Sequence, residues 1–560
     1  MASKLLTLLT LVIALCASPV TAQTSTLPNG VAAGDADQTS VVLWARSEHT
    51  GAVVFELATD ATFAAVSTTL TAEVSDPLIP VKVDVTGLTA GTTYFYRATD
   101  AAGVIGNGTF RTLHAPGAHT GLRFGVSGDW RGDIAPFSSI ANADERDLDF
   151  FVLHGDTIYA DYPSPAVRAG QATTLTEFRL KHAEVYAEHL GLNTLADLRA
   201  ATNVYVMIDD HEVTNNFAGG AAPQTHRRFA GANVEYINDA PLFETGLQVF
   251  QEYNPIRDEF YGETGDPRTA NERRLYRYRT FGSDAALFLI DARSFRDLEL
   301  PDIDDLTPEA LAAFEQAAFD PARTMLGAAQ FADLQADLLA AQAAGITWKF
   351  VMVPEPIQNI GVIEAADRYE GYAAERTALL RFIAENNLTN VVFVAADIHS
   401  TFVNDLFYRE AAGGEQIPVA SWEITTGSVA FDAPLGPTVI DIAADQNLIT
   451  EQQRALFTVL PLPARDTLLR AFIDGRLAAE GYDPIGLEGG LIDVELLRGS
   501  YLVAHTFGWT EFEIDEVTQA LTVTTYGIPA YTHAEMQSDS ATILARQPSI
   551  YSQFIVQPHS

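Results

Sequence analysis

Cysteine is almost missing from this chain: Cys16 is the only one in 560 residues. It falls in a leader segment that export would remove. The rest of the chain is then left with neither a disulfide framework nor a thiolate ligand, so any metal must be held by oxygen and nitrogen. Positive charge is scarce as well. Lys and Arg total 34 against 73 Asp and Glu, a formal net charge of −39. A polyanion is repelled by such a surface before it docks, which argues against nucleic acid and anionic membrane faces as partners. No internal repeat and no transmembrane helix is found. What remains is the composition of a solvated extracellular protein, suited to salty or calcium-rich surroundings.

Residues Met1 to Ala22 read as a secretory signal: Lys4, an apolar run from Leu5 to Leu15 that is too short to span a bilayer, and the small-residue exit Val20-Thr21-Ala22. The expected location is secreted or periplasmic after cleavage near Ala22. Length alone suggests about three or four domains, and a large catalytic domain with a smaller accessory one fits as well. From Leu27 to Leu113 short β-runs alternate with turns, with strands expected at Ser40 to Ala45, Ala52 to Leu57, Val81 to Val85 and Thr93 to Arg97. Gly87 to Gly91 leading into Thr93-Tyr94-Phe95-Tyr96 is the turn and tyrosine of a sandwich corner. Residues 23–116 are thus expected to form a small fibronectin-like all-β domain with a structural role.

After Pro116 strands alternate with helices. Strands are expected at 122–127, 149–154, 203–208, 285–290, 347–353, 391–396 and 420–426, and helices at 137–147, 176–189, 328–343 and 372–386. That alternation predicts an α/β catalytic domain over 117–560, a layered sheet flanked by helices. Residues 437–480 read as a helical insertion, and Tyr501 to Thr525 as two or three closing strands.

Four of the apolar strands run into chemistry-bearing residues. The first ends at Ser127-Gly128-Asp129 and the second at His154-Gly155-Asp156, with Tyr159 shortly after. The third runs into Asp209-Asp210-His211-Glu212 with Asn215 and Asn216, and the last into Asp397-Ile398-His399. In an open α/β sheet, ligands bind beyond the carboxyl ends of the strands. Carboxylates converging there repel one another unless a hard cation lies between them. Singly, each element has an ordinary reading as a turn, a solvated loop or a packed tyrosine. Their joint occurrence in this order does not.

The order resembles the calcineurin-like metallophosphoesterase superfamily, and within it the PhoD-like alkaline phosphatases and phosphodiesterases, which share features with purple acid phosphatases. Gly30 to Asp35 with Trp44-Ala45-Arg46, Gly155-Asp156-Thr157-Ile158-Tyr159, Asp209 to Glu212 and Asp397-Ile398-His399 carry the resemblance, which covers nearly the whole mature chain. It implies that Asp156 bridges two metals, and that Asp129, Tyr159 and His399 complete the site of an Fe(III)-type ion. Asp210, Asn216 and Asp397 then serve a second position suited to Ca(II), Mn or Mg better than Zn. His211 is left to donate to the leaving oxygen. Asp209, Asn215 and Glu355 are further candidates, and Arg131, Arg227 and Arg228 are candidates to grip substrate oxygens, with Arg131 counted as catalytic.

The chain departs from the family in having Asp129 where PhoD-like enzymes usually place a cysteine. It has no histidine in 351–361, and no twin-arginine pair within residues 1–22. The implied reaction is hydrolysis of a small phosphoester by a metal-activated hydroxide, on monoesters or diesters alike. A secreted calcium-binding or adhesion protein would explain the charge, but not a tyrosine and two histidines at strand ends. A glycosidase with paired carboxylates leaves the histidines unexplained.

Overall fold

The computed structural model describes residues 26–301, 303, 307–361, 366–431, 433–445 and 448–559. The segment read as a secretory signal lies outside the described residues. Among the described residues the strands form three sheets. Phe150–His154, Asn203–Met207, Ala285–Leu289, Trp348–Met352 and Val391–Ala395 are buried at every position. Only a sheet covered on both faces permits that, which is why these runs lack an apolar-polar alternation.

One sheet carries Leu122–Trp130, Phe150–His154 and Asn203–Met207 in parallel, with Phe150 facing both Phe124 and Asn203 across its ladders. Thr506–Ile514, Leu521–Pro529 and Ser549–Val556 extend it antiparallel on one side. The second sheet runs Arg277–Phe281, Ala285–Leu289, Trp348–Met352, Val391–Ala395, Ile417–Thr425, Thr401–Tyr408 and Leu502–Val503. The two face each other over an aromatic core. Phe512, Phe124, Phe150 and Phe281 follow one another at ring separations of 4.8, 4.6 and 4.5 Å, and Phe350 of the second sheet meets Phe124 edge-on at 4.9 Å. At the crevice end, His154 Nε2 donates to the Val353 carbonyl at 3.0 Å and ties the sheets together.

The described residues from 26 to 116 are all-β, as expected, but their strands go to two places. Gly51–Ala58, Thr68–Val74, Thr93–Thr99 and Ile105–Arg111 make a four-stranded antiparallel sheet. Val31–Gly34 pairs parallel with Asn203–Met207, so that Val31–Gly34, Ser40–Ala45 and Val81–Thr86 extend the sheet that carries Leu122–Trp130 and Phe150–His154. The corner is closed by the Thr89 amide donating to Tyr94 Oη at 3.0 Å.

Ala328–Ala343 and Ala373–Glu385 are helices as expected, and Leu175–Val185 is the core of the third, opened by a Thr174–Glu177 capping box. The helix expected at 137–147 is absent: Gly132–Ile134 and Ser138–Ile140 are short 3-10 turns. Polar side chains there are spent on distant partners instead of the local backbone. Ser139 Oγ donates to the Val429 carbonyl at 2.6 Å, Asn142 Oδ1 accepts from Trp509 Nε1 at 3.0 Å, and Arg146 pairs with Glu511 at 2.7 Å. The helical segment resolves into Leu435–Asp445, Glu451–Val459 and Leu462–Ala479.

Candidate active site

Because the strands carrying them run parallel, the candidate residues collect at one end of the sheets. Asp129 is the penultimate residue of strand Leu122–Trp130, Asp156 follows Phe150–His154, Asp209 and Asp210 follow Asn203–Met207, and Asp397 and His399 follow Val391–Ala395. A fifth strand joins them. Ser428–Ala430 pairs parallel with Leu122–Trp130, Ser428 opposite Gly128 and Ala430 opposite Trp130, and delivers Phe431. Two glycines permit the convergence. A Cβ on Gly128 would stand 2.8 Å from the His154 carbonyl and 2.9 Å from Ala396 Cβ, and one on Gly155, whose φ is 80°, would stand 2.9 Å from Asp209 Cβ. Five candidate ligands hold left-handed backbone: Asp129 (φ 60°), Asp156 (49°), Asn216 (53°), Asp397 (62°) and His399 (53°). Such conformations are costly outside glycine, and their clustering in one crevice is a mark of function.

His399 Nε2 lies 3.5 Å from Asp129 Oδ1. Asp129 Oδ2 and Tyr159 Oη are buried with no hydrogen-bond partner, a state that costs free energy unless something electropositive fills it. Asp156 Oδ1 accepts from the His211 amide at 3.1 Å, and Asp210 Oδ2 accepts from the Asn216 amide at 2.6 Å. Two groups have ligand atoms within 4.8 Å of one another and could hold a metal: Asp156, Asp210 and His211, and Glu355, Asp367 and Asp397. Burial, reinforced by neighbouring carboxylates, holds the Asp156 and Asp397 carboxyls well above the ordinary range. Burial and the charges of Asp156 and Asp129 do the same to the Tyr159 phenol. A crevice that penalises the charged forms of Asp156, Asp397 and Tyr159 together is short of cations, so the donor set fits hard metal ions.

His211 is held differently. Its Nδ1 meets Asp161 Oδ1 at 2.6 Å and its Nε2 lies 3.8 Å from Asp210 Oδ1. Burial opposes its charged form, but Asp210 and Asp161 outweigh that and raise it to about 9. Asn215 donates its amide to Asp161 Oδ2 at 2.9 Å while its side chain faces solvent, and Asn216 Nδ2 donates to Glu299 at 3.3 Å. Arg131 is drawn away from the carboxylates. It pairs with Asp133 at 2.7 Å and packs over the rings of Tyr162 and Phe431 at 5.1 and 5.8 Å. Arg228 donates to the Gly170 carbonyl at 3.1 Å.

Several residues organise the crevice in ways that strand-end reasoning does not assign. Glu212 accepts from Thr157 N at 2.6 Å, Thr157 Oγ1 at 2.7 Å and Asp209 N at 2.9 Å, clamping the second loop to the third. Arg293 has no exposed side-chain surface. It donates to Asp209 at 2.5 and 3.2 Å and to Asp367 at 3.0 and 3.1 Å, touches Glu355, and lies 3.8 Å from Asp210. Arg296 contacts Asp367 and Glu355 from the same side. Glu355, a sequence candidate, is thus held by arginine through Oε1 while its Oε2 has no partner. Phe431 lies 4.1 Å from the His399 ring and 4.9 Å from that of Tyr159.

Above the carboxylates is a cavity of about 530 Å3, lined on one side by Asp156, Asp210, His211, Asp397 and His399 and on the other by Leu435, Val439 and Ile473 of the helical segment. Arg368, itself paired with Glu370 at 3.1 Å, is the one lysine or arginine lining it among the described residues.

Residues 126–458 match the sequence model of the PhoD-like phosphatase family, and residues 15–114 that of the PhoD-like phosphatase N-terminal domain. Alkaline phosphatase D of Bacillus subtilis (strain 168) is 26% identical over 414 residues, 67% of this chain and 65% of its own length. The match thus spans about two thirds of that curated relative. Among solved structures, that of PhoD superposes with a TM-score of 0.66 at 19% identity, covering 97% of this chain and 94% of its own. A purple acid phosphatase from yellow lupin seeds gives 0.47 at 10% identity, covering 94% and 73%.

Proposed function

Since this chain belongs to the PhoD-like phosphatase family, we propose that it is an exported, metal-dependent hydrolase of small phosphoesters, acting as an alkaline phosphatase, a phosphodiesterase or both. The observation that carries this reading is the meeting of four strand ends at one cavity, with Asp129 of a fifth strand 3.5 Å from His399, buried and mutually repelling carboxylates, and a tyrosine hydroxyl and a carboxylate oxygen buried without a hydrogen-bond partner.

Asp129, Asp156, Tyr159 and His399 are assigned to one metal, with Fe(III) the ion whose charge offsets the resistance of a buried phenol to ionisation. Asp156, Asp210, Asn216 and Asp397 are assigned to a second, with Ca(II), Mn or Mg suited to its oxygen donors. Bound there, the ions supply Lewis acidity, lowering the pKa of water and neutralising charge on phosphoryl oxygens. The chain's own residues do the rest. Asp161 fixes the His211 ring by its Nδ1 and favours its charged form, leaving Nε2 toward the cavity to donate to the departing alkoxide. Glu212 and Arg293 keep the ligand loops in register from behind, and Arg131 steadies Tyr162 and Phe431 rather than touching phosphate. The aliphatic wall from the helical segment excludes water from one side of the bound ester. Export follows from the leader at Met1 to Ala22, which N-terminal sequencing of the mature protein checks.

The test is Asp156→Ala in the metal-loaded enzyme. Phosphoester turnover should fall by roughly three orders of magnitude or more, since Lewis-acid stabilisation is worth several kcal/mol, while circular dichroism stays unchanged. A folded variant that keeps its activity overturns the assignment.

A further inference from the structure

A second cavity, about 300 Å3, lies behind the first. The two share a wall. Asn359 lines the second and its neighbour Ile360 the first, and Glu370 of the second is the ion-pair partner of Arg368 of the first. Helix Pro308–Ala318, the start of Ala373–Glu385, strand Thr401–Tyr408 and the end of Leu462–Ala479 enclose it. Phe314, Phe319, Phe407 and Tyr482 give it an aromatic interior.

Its charges do not cancel as those of a packed interface would. Each carboxylate lining it has its own arginine: Glu315 pairs with Arg409 at 2.7 Å, Glu370 with Arg368 at 3.1 Å, and Glu480 with Arg476 at 3.1 Å. Arg376 is left over. It is only 6% exposed, its Nε donates to the Ile357 carbonyl at 2.5 Å, and among the described residues it has no ion pair and no ring stacked on it. Arg199, another buried arginine without a carboxylate, is instead packed over the rings of Tyr186 and Trp44 at 4.0 and 4.4 Å. Arg376 has no such ring, and it lines the cavity, with Glu370 and Glu423 near enough to favour its charge but neither within ion-pair distance. Burial accordingly presses its charged form downward. A buried guanidinium open to a cavity is a site for a planar anion that accepts two hydrogen bonds.

We propose that this cavity binds a small amphipathic monocarboxylate, gripped by the Arg376 guanidinium with its apolar body against Phe314, Phe319, Phe407 and Tyr482. With Glu315, Glu370 and Glu480 each paired with its own arginine, the one positive charge left among the described residues lining the cavity is that of Arg376, which a monoanion neutralises and a dianion such as a phosphate monoester overcompensates. The volume is at the lower end for small-molecule sites, so the occupant is an aryl or medium-chain acid. The site is independent of the phosphoester reading and does not need it. It does have a route to that centre, because Arg376 holds the Ile357 carbonyl while Glu423 holds the Ile357 and Gln358 amides at 2.7 and 2.8 Å, on the loop that carries Glu355.

The test is calorimetric titration of the metal-loaded full chain with 3-phenylpropionate, using 3-phenylpropanol as the uncharged control. Two variants accompany it: Arg376→Gln, and Leu311→Trp, which fills the cavity without touching the arginine. Saturable 1:1 binding is expected, weakened about tenfold or more in Arg376→Gln by the loss of charge-assisted hydrogen bonds and abolished in Leu311→Trp, with the alcohol failing to saturate. If Arg376→Gln does not fold, Leu311→Trp decides. Absence of saturable binding, binding that survives Leu311→Trp, or equal binding of the alcohol overturns the proposal.

Discussion

Replacing Arg293 by methionine, close in volume and without charge, tests how the crevice tolerates so many buried anions. The substitution removes donors to Asp209 at 2.5 and 3.2 Å and to Asp367 at 3.0 and 3.1 Å, together with the Glu355 contact. Asp367 and Glu355 keep Arg296. Asp209 keeps no cation among the described residues, at 2% exposure and beside Asp210. Removing one partner of a buried pair costs about 3–5 kcal/mol, which is a large share of a typical stability of roughly 5–15 kcal/mol. Burial already pushes the Asp209 carboxyl up to about 6 with Arg293 attached, and without the guanidinium it rises further. A carboxyl whose folded pKa is raised contributes stability that is full below its unfolded value and lost as pH rises through the folded one. The deficit of the variant should therefore widen above pH 6. Arg293→Lys keeps the charge but not the fork that spans Asp209 and Asp367 together, and falls between the two. Urea denaturation of chelator-treated protein, followed by tryptophan fluorescence and far-UV dichroism at pH 5 and pH 8, measures this. A cost for Arg293→Met below about 1 kcal/mol, or a cost that shrinks between pH 5 and pH 8, refutes the reasoning.

Asp100 accepts from the amides of Ala102 and Val104 at 3.0 and 2.9 Å and from the hydroxyls of Thr26 and Ser47 at 2.5 and 3.0 Å. Burial opposes its charge, but these donors hold the carboxyl below its ordinary value, so the stability it contributes is present above its unfolded pKa and disappears as pH falls through the folded one. Asp100→Asn should cost about 1–3 kcal/mol at pH 7, with the gap to the parent closing toward pH 3; a gap that ignores pH refutes this. Phe431→Ala removes the ring packed on His399 and Tyr159. Metal affinity should fall about 10–100-fold with the fold intact, read as metal content after competition with a chelator. Tyr159→Phe should abolish the visible charge-transfer absorption of iron-loaded protein, and a band that persists removes Tyr159 from the ligand set.

The strand ends were legible because each is a local pattern: an apolar run of five or six residues, then a carboxylate, twice with a glycine beside it. Parallel pairing then forces local patterns into one place. Arg293, Asp367, Phe431 and the acceptor role of Glu212 were not legible, for a different reason. Arg293 meets Asp209 across 84 residues of sequence and Asp367 across 74, and Ser428–Ala430 is three residues long, too short to show a period. The helix expected at 137–147 failed where propensity yields to tertiary hydrogen bonds from Ser139, Asn142 and Arg146. The role of the N-terminal strands from Val31 to Arg111 was half legible. Alternation shows a β-domain, but not that Val31–Gly34 sits beside Asn203–Met207 in the sheet that carries Asp209 and Asp210.

The placement of charge bears on the proposal that a chain of net charge −39 hydrolyses an anionic ester. Its arginines near the crevice face inward or sideways: Arg293 and Arg296 lie behind the carboxylates, Arg131 on Asp133, Arg368 on Glu370. They hold the ligand loops without neutralising the surface those loops show the cavity. That surface remains acidic, and Coulomb repulsion there disfavours phosphate as strongly as it favours a cation. On the proposed reading, anion affinity would belong to the polypeptide and hard cations together, with Asp129, Asp156, Asp210, Asp397 and His399 holding the ions that would supply both charge for a phosphoryl group and Lewis acidity for water. The aliphatic wall of Leu435, Val439 and Ile473 completes this division of labour, because in the low-dielectric crevice it helps create each of those ionic interactions is stronger than in water.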